Sequence, residues 1–280
     1  MALNINWFPG HMKKTKEEIE RNLKLVDIVC EIIDARIPES SRNPMLDEIL
    51  AGKPRMVLMN KADLADSREN QRWINYFKNQ GIEALAINSK ENINVGKIYE
   101  TAKAILKDKF DRNEKKDIQN KKIKMMIVGI PNSGKSTFIN NVSKRKGAKV
   151  GNRPGVTQTK QWIRTKADID LLDTPGVLWP KFDDKTGLHL AFTGAIRDEV
   201  VNIDDLALYF LEEMIEKYPE NLKERYNIEL SDRALDVYEA IAKRRGAIMA
   251  GGDFDYTRTA GIILNDFRAG KLGNISLESL

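Results

Sequence analysis

The sequence predicts an α/β domain with a mostly parallel sheet and helices on both faces, followed by an all-α C-terminal domain. Short apolar runs alternate with amphipathic segments, and loops with glycine or polar residues follow the runs. This alternation is typical of parallel sheets, because each connection between parallel strands must cross one face. After about Leu190 only helical patterns remain. We therefore expect one domain over residues 1–182, with an N-terminal arm over about 1–20, and a helical domain over 183–280.

Four apolar runs predict strands that are mostly buried on both faces, because their apolar residues are nearly continuous. These runs are residues 26–34, 55–59, 84–87 and 124–128. Residues 161–165 and 169–172 are separated only by a short polar turn. That spacing predicts an antiparallel pair at one edge of the sheet.

Helical spacing of apolar residues predicts the helices. They are expected over residues 67–80 and 95–109 in the first domain, and over 203–217, 233–245 and 256–268 in the second. Pro219 and the glycines at 251–252 are expected to break the later helices. Residues 107–124 carry charges of both signs and predict a solvated linker, and the N-terminal arm is expected to be disordered until it docks.

The composition excludes several classes of protein. The hydrophobic fraction of 41% is sufficient for a core, and no apolar run has the length of a membrane span or a signal peptide. We therefore expect a cytoplasmic protein without a membrane partner. The single Cys30 excludes an internal disulfide, and the only histidines, His11 and His189, are too few for a histidine-rich metal centre.

Residues 129–136 read GIPNSGKS, between a predicted strand and a predicted helix. This is the context of a phosphate-binding loop, in which backbone N–H groups and a helix N-terminus surround the phosphates. Lys135 is expected to reach the β- and γ-phosphates, and Ser136 to ligate Mg2+. The other predicted nucleotide-binding residues here are Asn132, Ser133, Gly134 and Thr137.

Two further segments predict the switches of a nucleotide hydrolase. Asp173-Thr-Pro-Gly176 follows a predicted strand, so Asp173 can hold Mg2+ through water and the N–H of Gly176 can meet the γ-phosphate. Thr157, in the preceding Pro-Gly-Val-Thr segment, is expected to complete the Mg2+ shell only when a γ-phosphate is present. Thr159 is an alternative for that role.

The choice of base is predicted from Asn60-Lys61-Ala-Asp63, which follows the second predicted strand. The carboxylate of Asp63 can accept hydrogen bonds from N1–H and N2–H of guanine, a pair that adenine does not offer. The stem of Lys61 can lie along the base, and Asn60 can brace the loop. The motif therefore predicts a site for GTP or GDP.

A second guanine loop, Asn88-Ser89-Lys90, follows the third predicted strand and is expected to donate a backbone N–H to the guanine oxygen. Both guanine loops precede the phosphate loop, the reverse of the usual order. The sequence thus predicts a P-loop GTPase fold with a circularly permuted motif order, which is tolerated because domain termini often lie close together. The chain then passes from residues 173–176 directly into the helical tail, so we expect nucleotide-driven movement to be coupled to that tail.

The motifs resemble those of the circularly permuted GTPases of ribosome biogenesis. The resemblance rests on Trp7-Phe-Pro-Gly-His11-Met12, Asp34-Ala-Arg36-Ile-Pro38, Arg153-Pro-Gly-Val-Thr157, Lys243-Arg-Arg-Gly246 and Asp266-Phe-Arg268-Ala-Gly270-Lys-Leu-Gly273. It implies a factor that acts late in assembly of the large (50S) ribosomal subunit, whose hydrolysis that subunit stimulates and whose tail contacts rRNA. One departure is Asn88-Ser89-Lys90, where the family commonly has Ser-Ala-Lys.

Val177 occupies the position at which many Ras-like GTPases have a glutamine that orients the attacking water. Valine cannot hydrogen-bond water, so slow intrinsic hydrolysis is expected and another group must assist. The resemblance implies that His11 is brought to the γ-phosphate on the ribosome. The alternative is Asn132, which resembles the asparagine of potassium-activated GTPases that helps to hold K+ beside the phosphates.

A basic run and a basic cluster predict contacts with RNA phosphates, in a chain with a net charge of +5. Between residues 141 and 166 there is no acidic residue. The predicted RNA-binding residues are Lys144, Arg145, Lys146, Lys149, Lys243, Arg244 and Arg245. No DNA partner is expected.

Three functions remain open from the sequence. The first is a GTPase switch that binds the precursor of the large ribosomal subunit as the GTP form and leaves after hydrolysis. The second is a nucleotide-gated rRNA-binding module in which hydrolysis is incidental, an alternative that Val177 supports. The third is a metabolic kinase, which the guanine motif at 60–63 argues against.

Overall fold

The computed structural model describes residues 9–50, 52–114, 122–143, 161–176, 178–179 and 181–280. The chain divides into two compact units. The α/β unit comprises the described residues between 9 and 181 together with Glu278–Leu280. The helical unit is Phe182–Leu277.

A six-stranded sheet organises the α/β unit, with the strands in the order β3-β2-β1-β4-β6-β5. The strands are β1 (Ile28–Asp34), β2 (Arg55–Asn60), β3 (Glu83–Ala86), β4 (Ile123–Val128), β5 (Gln161–Arg164) and β6 (Ile169–Asp173). Every neighbouring pair is parallel except β5 and β6, which are antiparallel. The predicted fold class and its antiparallel edge pair are confirmed.

The strand order reverses between β1 and β4, which are parallel neighbours in the middle of the sheet. From β1 the chain builds outward to β2 and β3, whereas β4 starts the opposite side. The loops that follow β1 and β4 therefore diverge and leave a crevice at the carboxyl ends of the strands, the usual place for a ligand in such a sheet.

Helices cover both faces of this sheet. They are α1 (Pro9–Leu23), α2 (Pro44–Ile49), α3 (Ser67–Asn79), α4 (Lys97–Ile105), α5 (Lys107–Glu114) and α6 (Lys135–Val142). Alternate residues of β1 enter different clusters: Ile32 packs with Phe138 of α6, whereas Ile33 packs with Trp73 of α3. Burial on both faces explains why the strand reads as a continuous apolar run.

Two helices lie in segments that the sequence predicted to be a disordered arm and a solvated linker, and the short helix α2 was also not predicted. Helix α1 occupies part of the arm that was expected to be disordered, because Ile19 packs with Val26 and Val29 at 4% exposure. Helix α5 occupies the start of the expected linker, since Phe110 packs against the core cluster that contains Leu106. In both segments a few apolar residues that pack against the core, Ile19 buried and Phe110 partly buried, offset a highly charged composition.

The helical unit contains α7 (Asp184–Phe192), α8 (Ile203–Lys217), α9 (Pro219–Tyr226), α10 (Ala234–Arg245) and α11 (Tyr256–Arg268). The shorter helices α7 and α9 were not predicted. Its core includes Phe210, whose ring centroid lies 5.2 Å from that of Phe192 and 4.8 Å from that of Phe267. Pro219 begins α9 instead of only breaking the pattern, because proline fits the first turn of a helix. Over the described ranges, no helix has both the length and the apolar character to cross a membrane.

Glu278 is part of the α/β unit although 238 positions separate it from its partner Ser40. Its carboxylate accepts hydrogen bonds from the backbone N–H groups of Glu39 at 2.6 Å and Ser40 at 3.1 Å, and from the hydroxyl of Ser40. The indole N–H of Trp73 donates to the backbone oxygen of Glu278 at 3.4 Å. Glu278 therefore fixes the loop that follows β1.

Candidate nucleotide-binding site

The loops that follow β2, β3 and β4 meet around the side chain of Asn60. Its amide Nδ2 donates to the carbonyl oxygen of Ser133 at 2.8 Å, and its Oδ1 accepts from the N–H of Ser89 at 3.0 Å. Asn60 is 3% exposed, so both bonds are shielded from water. One side chain thus joins the two predicted guanine loops to the predicted phosphate loop.

The phosphate loop approaches this asparagine closely at Gly134. The backbone there has φ +94°, and a Cβ atom would overlap the Asn60 amide nitrogen. Only glycine fits both requirements. Gly134 also precedes α6, so Ser136 and Thr137 lie in the first turn of the helix, half-buried, where N–H groups favour anions.

Lys135 turns back onto its own loop. Its Nζ donates to the carbonyl oxygens of Gly129 at 3.0 Å and Ile130 at 2.7 Å. Burial lowers the pKa of Lys135 to about 8, and the charge of Asp173 opposes that shift. The loop therefore presents an ammonium group that burial makes poorly solvated and that an anion would stabilise.

The segment after β6 lies against the phosphate loop. The hydroxyl of Thr174 donates to the carbonyl oxygen of Ile127 in β4 at 2.7 Å, which fixes the start of the segment. A Cβ atom added at Gly176 would lie 2.9 Å from Nζ of Lys135 and 3.0 Å from the nitrogen of Pro131. The structure therefore brings together Lys135, Asp173 and Gly176.

The guanine motif contains a residue, Lys61, with a strained backbone conformation. Lys61 has a left-handed backbone with φ 59°, directly before a short 3-10 helix, Ala62–Leu64, that carries the exposed carboxylate of Asp63. The Nζ of Lys61 donates to the carbonyl oxygen of Asn132 at 2.7 Å. A second bond joins it to Asp34, the last residue of β1, at 2.8 Å. The lysine thus spans the guanine and phosphate loops.

The second guanine loop is held by its own side chains. Oδ1 of Asn88 accepts from the N–H groups of Lys90 and Glu91, both at 2.9 Å. The N–H of Ser89 donates to Asn60, so a guanine oxygen that bound this N–H would replace that bond. Nδ2 of Asn141, in α6, donates to the carbonyl oxygen of Ser89.

Three residues that hold the nucleotide loops were not predicted as site residues from the sequence. Asp34 and Arg36 were noted only within a resemblance, and Asn141 carried no signal of its own. Asp34 is 1% exposed and Arg36 is 1% exposed, and their side chains are joined by hydrogen bonds of 2.8 and 2.9 Å. The single signal available was two charged residues directly after an apolar run.

Several predicted residues lie outside the described part of the chain. They are Lys144, Arg145, Lys146, Lys149, Thr157, Thr159 and Val177. His11 lies in α1, but its side chain is also outside the described part.

The three residues of the second basic cluster, Lys243, Arg244 and Arg245, differ in exposure and packing. Lys243 and Arg244 are exposed at the end of α10, whereas the guanidinium of Arg245 lies 5.2 Å from the ring centroid of Tyr226 and 3.9 Å from the carboxylate of Asp266. Arg245 is therefore held within the helical unit. The role of all three in RNA binding stays a prediction.

GTPases generally use Mg2+, and the residues present fit such an ion. The hydroxyl of Ser136 and the carboxylate of Asp173, which is 8% exposed, are the oxygen donors that Mg2+ prefers. Asp173 lies near Lys135, so its charge is already part of the phosphate-binding region. Bound Mg2+ would supply charge neutralisation for the phosphates.

Fold and site together define a GTPase whose guanine loops precede its phosphate loop. Residues 124–238 match the family model described as "50S ribosome-binding GTPase". "Ribosome biogenesis GTPase A" of Priestia megaterium is 49% identical over 99% of this chain and 97% of its own length. "Mitochondrial ribosome-associated GTPase 1" of Ictalurus punctatus is 34% identical over 98% of this chain and 92% of its own length.

A solved structure also resembles nearly the whole chain. The crystal structure of GNP-bound YlqF from T. maritima has a TM-score of 0.65 and 26% identity, and the match covers 95% of this chain and 98% of that chain. The chain belongs to the ribosome biogenesis GTPase A family, and it is a GTP hydrolase with a circularly permuted GTPase domain.

Proposed function

We propose that this protein is a GTPase switch in late assembly of the large (50S) ribosomal subunit. The GTP form binds the precursor subunit, hydrolysis occurs there, and release follows. The observation that carries this proposal is the combination of the joined guanine and phosphate loops around Asn60 with a 50S ribosome-binding family match over residues 124–238. A cytoplasmic location and a precursor rRNA partner follow from this function.

The described residues support specific roles in hydrolysis. Lys135 binds the β- and γ-phosphates, exchanging its present bonds to Gly129 and Ile130 for phosphate oxygens. The N–H of Gly176, adjacent to Lys135, stabilises charge that develops on the γ-phosphate. Ser136, Thr157 and Asp173 are the proposed ligands of Mg2+.

Hydrolysis is completed on the ribosome, because Val177 cannot orient water. His11 is the proposed group that reaches the γ-phosphate after docking. A K+ ion held in part by Asn132 is the second proposed source of stabilisation, since it would neutralise charge without an arginine. Asn132 is exposed and has φ 57°, which places it at the outer turn of the phosphate loop.

The test is GTP turnover in potassium buffer, with and without added large ribosomal subunits. A large stimulation is the expected result. Absence of stimulation while GTP still binds would overturn the switch and favour the nucleotide-gated RNA-binding module instead. Small ribosomal subunits at the same concentration are the control for nonspecific effects of RNA.

The guanine assignment has a separate test in Asp63→Asn. An amide cannot accept both guanine donors, but it can donate to the carbonyl oxygen that xanthine carries in place of the N2 amino group. We expect weaker GDP binding and stronger xanthosine diphosphate binding. Unchanged GDP affinity would exclude Asp63 from the base site. Asp66→Asn, at the cap of α3, is the control because that carboxylate binds backbone N–H groups of its own helix.

A further inference from the structure

A buried ion network lies behind the guanine loop. Asp34 ends β1 and stands in register with Asn60, which ends β2. Lys61 follows Asn60 directly, and this register places the carboxylate of Asp34 beside the Lys61 side chain. The distance from Oδ2 of Asp34 to Nζ of Lys61 is 2.8 Å.

Arg36 fixes the carboxylate of Asp34 from the other side. Its Nε lies 2.9 Å from Oδ1 and its Nη2 lies 2.8 Å from Oδ2, a bidentate arrangement. The backbone N–H of Arg36 adds a third bond to Oδ1 at 3.1 Å. Both side chains are almost fully buried, and so the carboxylate has a single orientation.

The charge of Asp34 is retained despite its burial. Burial alone would raise its pKa, but the charges of Arg36 and Lys61 outweigh that effect and hold the pKa well below its usual range. An ionised, fixed carboxylate therefore faces the lysine under all ordinary conditions. Lys61, at 24% side-chain exposure, is the most exposed member of the network and the one that contacts the phosphate loop.

Lys61 needs such a fixed partner. A lysine side chain has four rotatable bonds, and its ammonium group is otherwise well hydrated. Its second bond, to the carbonyl oxygen of Asn132, joins it to the phosphate loop. With both acceptors in place the stem is held between the two loops before any nucleotide arrives, which reduces the ordering cost of binding.

We infer that Asp34 is a positioning residue of the guanine site: it orients Lys61 for the base, and Arg36 in turn orients Asp34. The inference rests on the proposed role of Lys61 in guanine binding. Asp34 makes no contact with the nucleotide in this scheme, and its whole effect on affinity passes through Lys61.

The test is a double-mutant cycle on GDP affinity, measured with a fluorescent GDP analogue at equilibrium. Asp34→Asn removes the charge at nearly constant volume, and Lys61→Met removes the ammonium while keeping the stem. We expect Asp34→Asn to weaken binding about tenfold in the natural background and less than about twofold in the Lys61→Met background, because coupled residues are not additive.

Each contrary outcome has a separate meaning. Equal losses in the two backgrounds would overturn the inference, since Asp34 would then act independently of Lys61. Unchanged affinity in Lys61→Met would remove the lysine from the guanine site and the inference with it. Asp34→Asn leaves the Arg36 guanidinium buried without a carboxylate, which can prevent folding. In that case the cycle is repeated with Asp34→Asn combined with Arg36→Met, which removes the unpaired guanidinium charge.

Glu31→Gln is the matched control. Glu31 is also in β1 and 3% exposed, but its carboxylate binds Arg42 at 3.4 Å and the N–H of Asn43 at 3.2 Å. We expect a lower melting temperature and unchanged GDP affinity. A loss of affinity equal to that of Asp34→Asn would show that general weakening of β1 explains both results, and would overturn the inference.

Discussion

Asn60 and Ser133 are 73 positions apart in the chain, yet the Asn60 amide donates to the Ser133 carbonyl oxygen over 2.8 Å. The bond crosses between the two halves of the GTPase domain, because the permuted order places guanine recognition first. The other end of the same amide holds the N–H of Ser89. Asn60 is therefore a buried link between the loops expected to bind the base and the loop expected to bind the phosphates, beside the more exposed link that Lys61 makes to Asn132.

Replacement of this side chain is expected to weaken nucleotide binding. Asn60→Ala removes the link between the loops and leaves the buried Ser133 oxygen without this donor, at a cost of about 1–3 kcal/mol. We expect at least a tenfold loss of GDP affinity in equilibrium titration. Asn75→Ala, at an exposed position of α3, should leave affinity unchanged. Equal affinities for Asn60→Ala and the natural chain would contradict the joining role.

The lowered pKa of Lys135 predicts that stability and GDP binding both depend on pH. Its pKa is about 8 in the folded protein and 10.5 as the ordinary value, so the folded state holds fewer protons than the unfolded state between these pH values. The free energy of unfolding of the nucleotide-free protein should therefore increase as the pH rises from about 8 to 10.5. GDP binding should weaken over the same rise, because the phosphates bind the protonated form.

Calorimetry can detect this proton directly. At pH 8.5, GDP binding should take up protons, seen as a binding enthalpy that changes with the ionisation enthalpy of the buffer. Lys135→Met should bind weakly and without that uptake. A buffer-independent enthalpy for the natural chain would contradict a Lys135 pKa near 8.

His11→Ala is expected to keep GTP binding and to lose the turnover that large ribosomal subunits stimulate. The reason is that Val177 cannot assist the attacking water, so the ribosome-bound state needs another group. Turnover with and without subunits is the measurement, with GTP affinity as the control for folding. Unchanged stimulated turnover in the variant would exclude His11.

A potassium effect is expected if Asn132 holds a monovalent cation. Turnover should be faster in potassium than in sodium buffer at equal ionic strength, and Asn132→Gly should abolish the difference. Glycine is the appropriate replacement because it accepts the left-handed backbone at this position. Equal rates in the two buffers for the natural chain would remove the proposal.

The basic cluster at the end of α10 can be divided by mutation. Lys243→Ala and Arg244→Ala should weaken binding of large subunits and lower its salt dependence, because both side chains are exposed. Arg245→Ala should instead lower the melting temperature, since its guanidinium packs on Tyr226 and near Asp266. A salt-independent affinity for the natural chain would argue for protein contacts.

The strands were predictable because buried parallel strands are continuous apolar runs, and β2 and β4 begin and end within one residue of the expected bounds. Helix α8 was predicted at its observed bounds, Ile203–Lys217, from apolar spacing alone. Helix α1 was missed because its stability depends on packing of Ile19 against the sheet, which no local pattern contains.

The candidate site, like the fold, could be predicted only in part from the sequence. The nucleotide loops were predictable because phosphate and guanine chemistry requires particular residues in a fixed order. The pair of Asp34 and Lys61 was not, since it exists only because β1 and β2 are parallel neighbours with Asp34 opposite Asn60. Strand register depends on how the two strands pack in the folded sheet, and the local pattern of either strand does not reveal it.

The position of Glu278 has a consequence for biosynthesis. Its carboxylate holds Glu39 and Ser40, so the loop that begins at Asp34 cannot close until the chain has been translated beyond the helical unit. At about 5–20 residues per second, the roughly 100 residues after Lys181 take about 5–20 s to synthesise. A nascent chain therefore has all its guanine and phosphate motifs well before it can complete this loop, and the α/β unit is finished only after translation has passed Glu278.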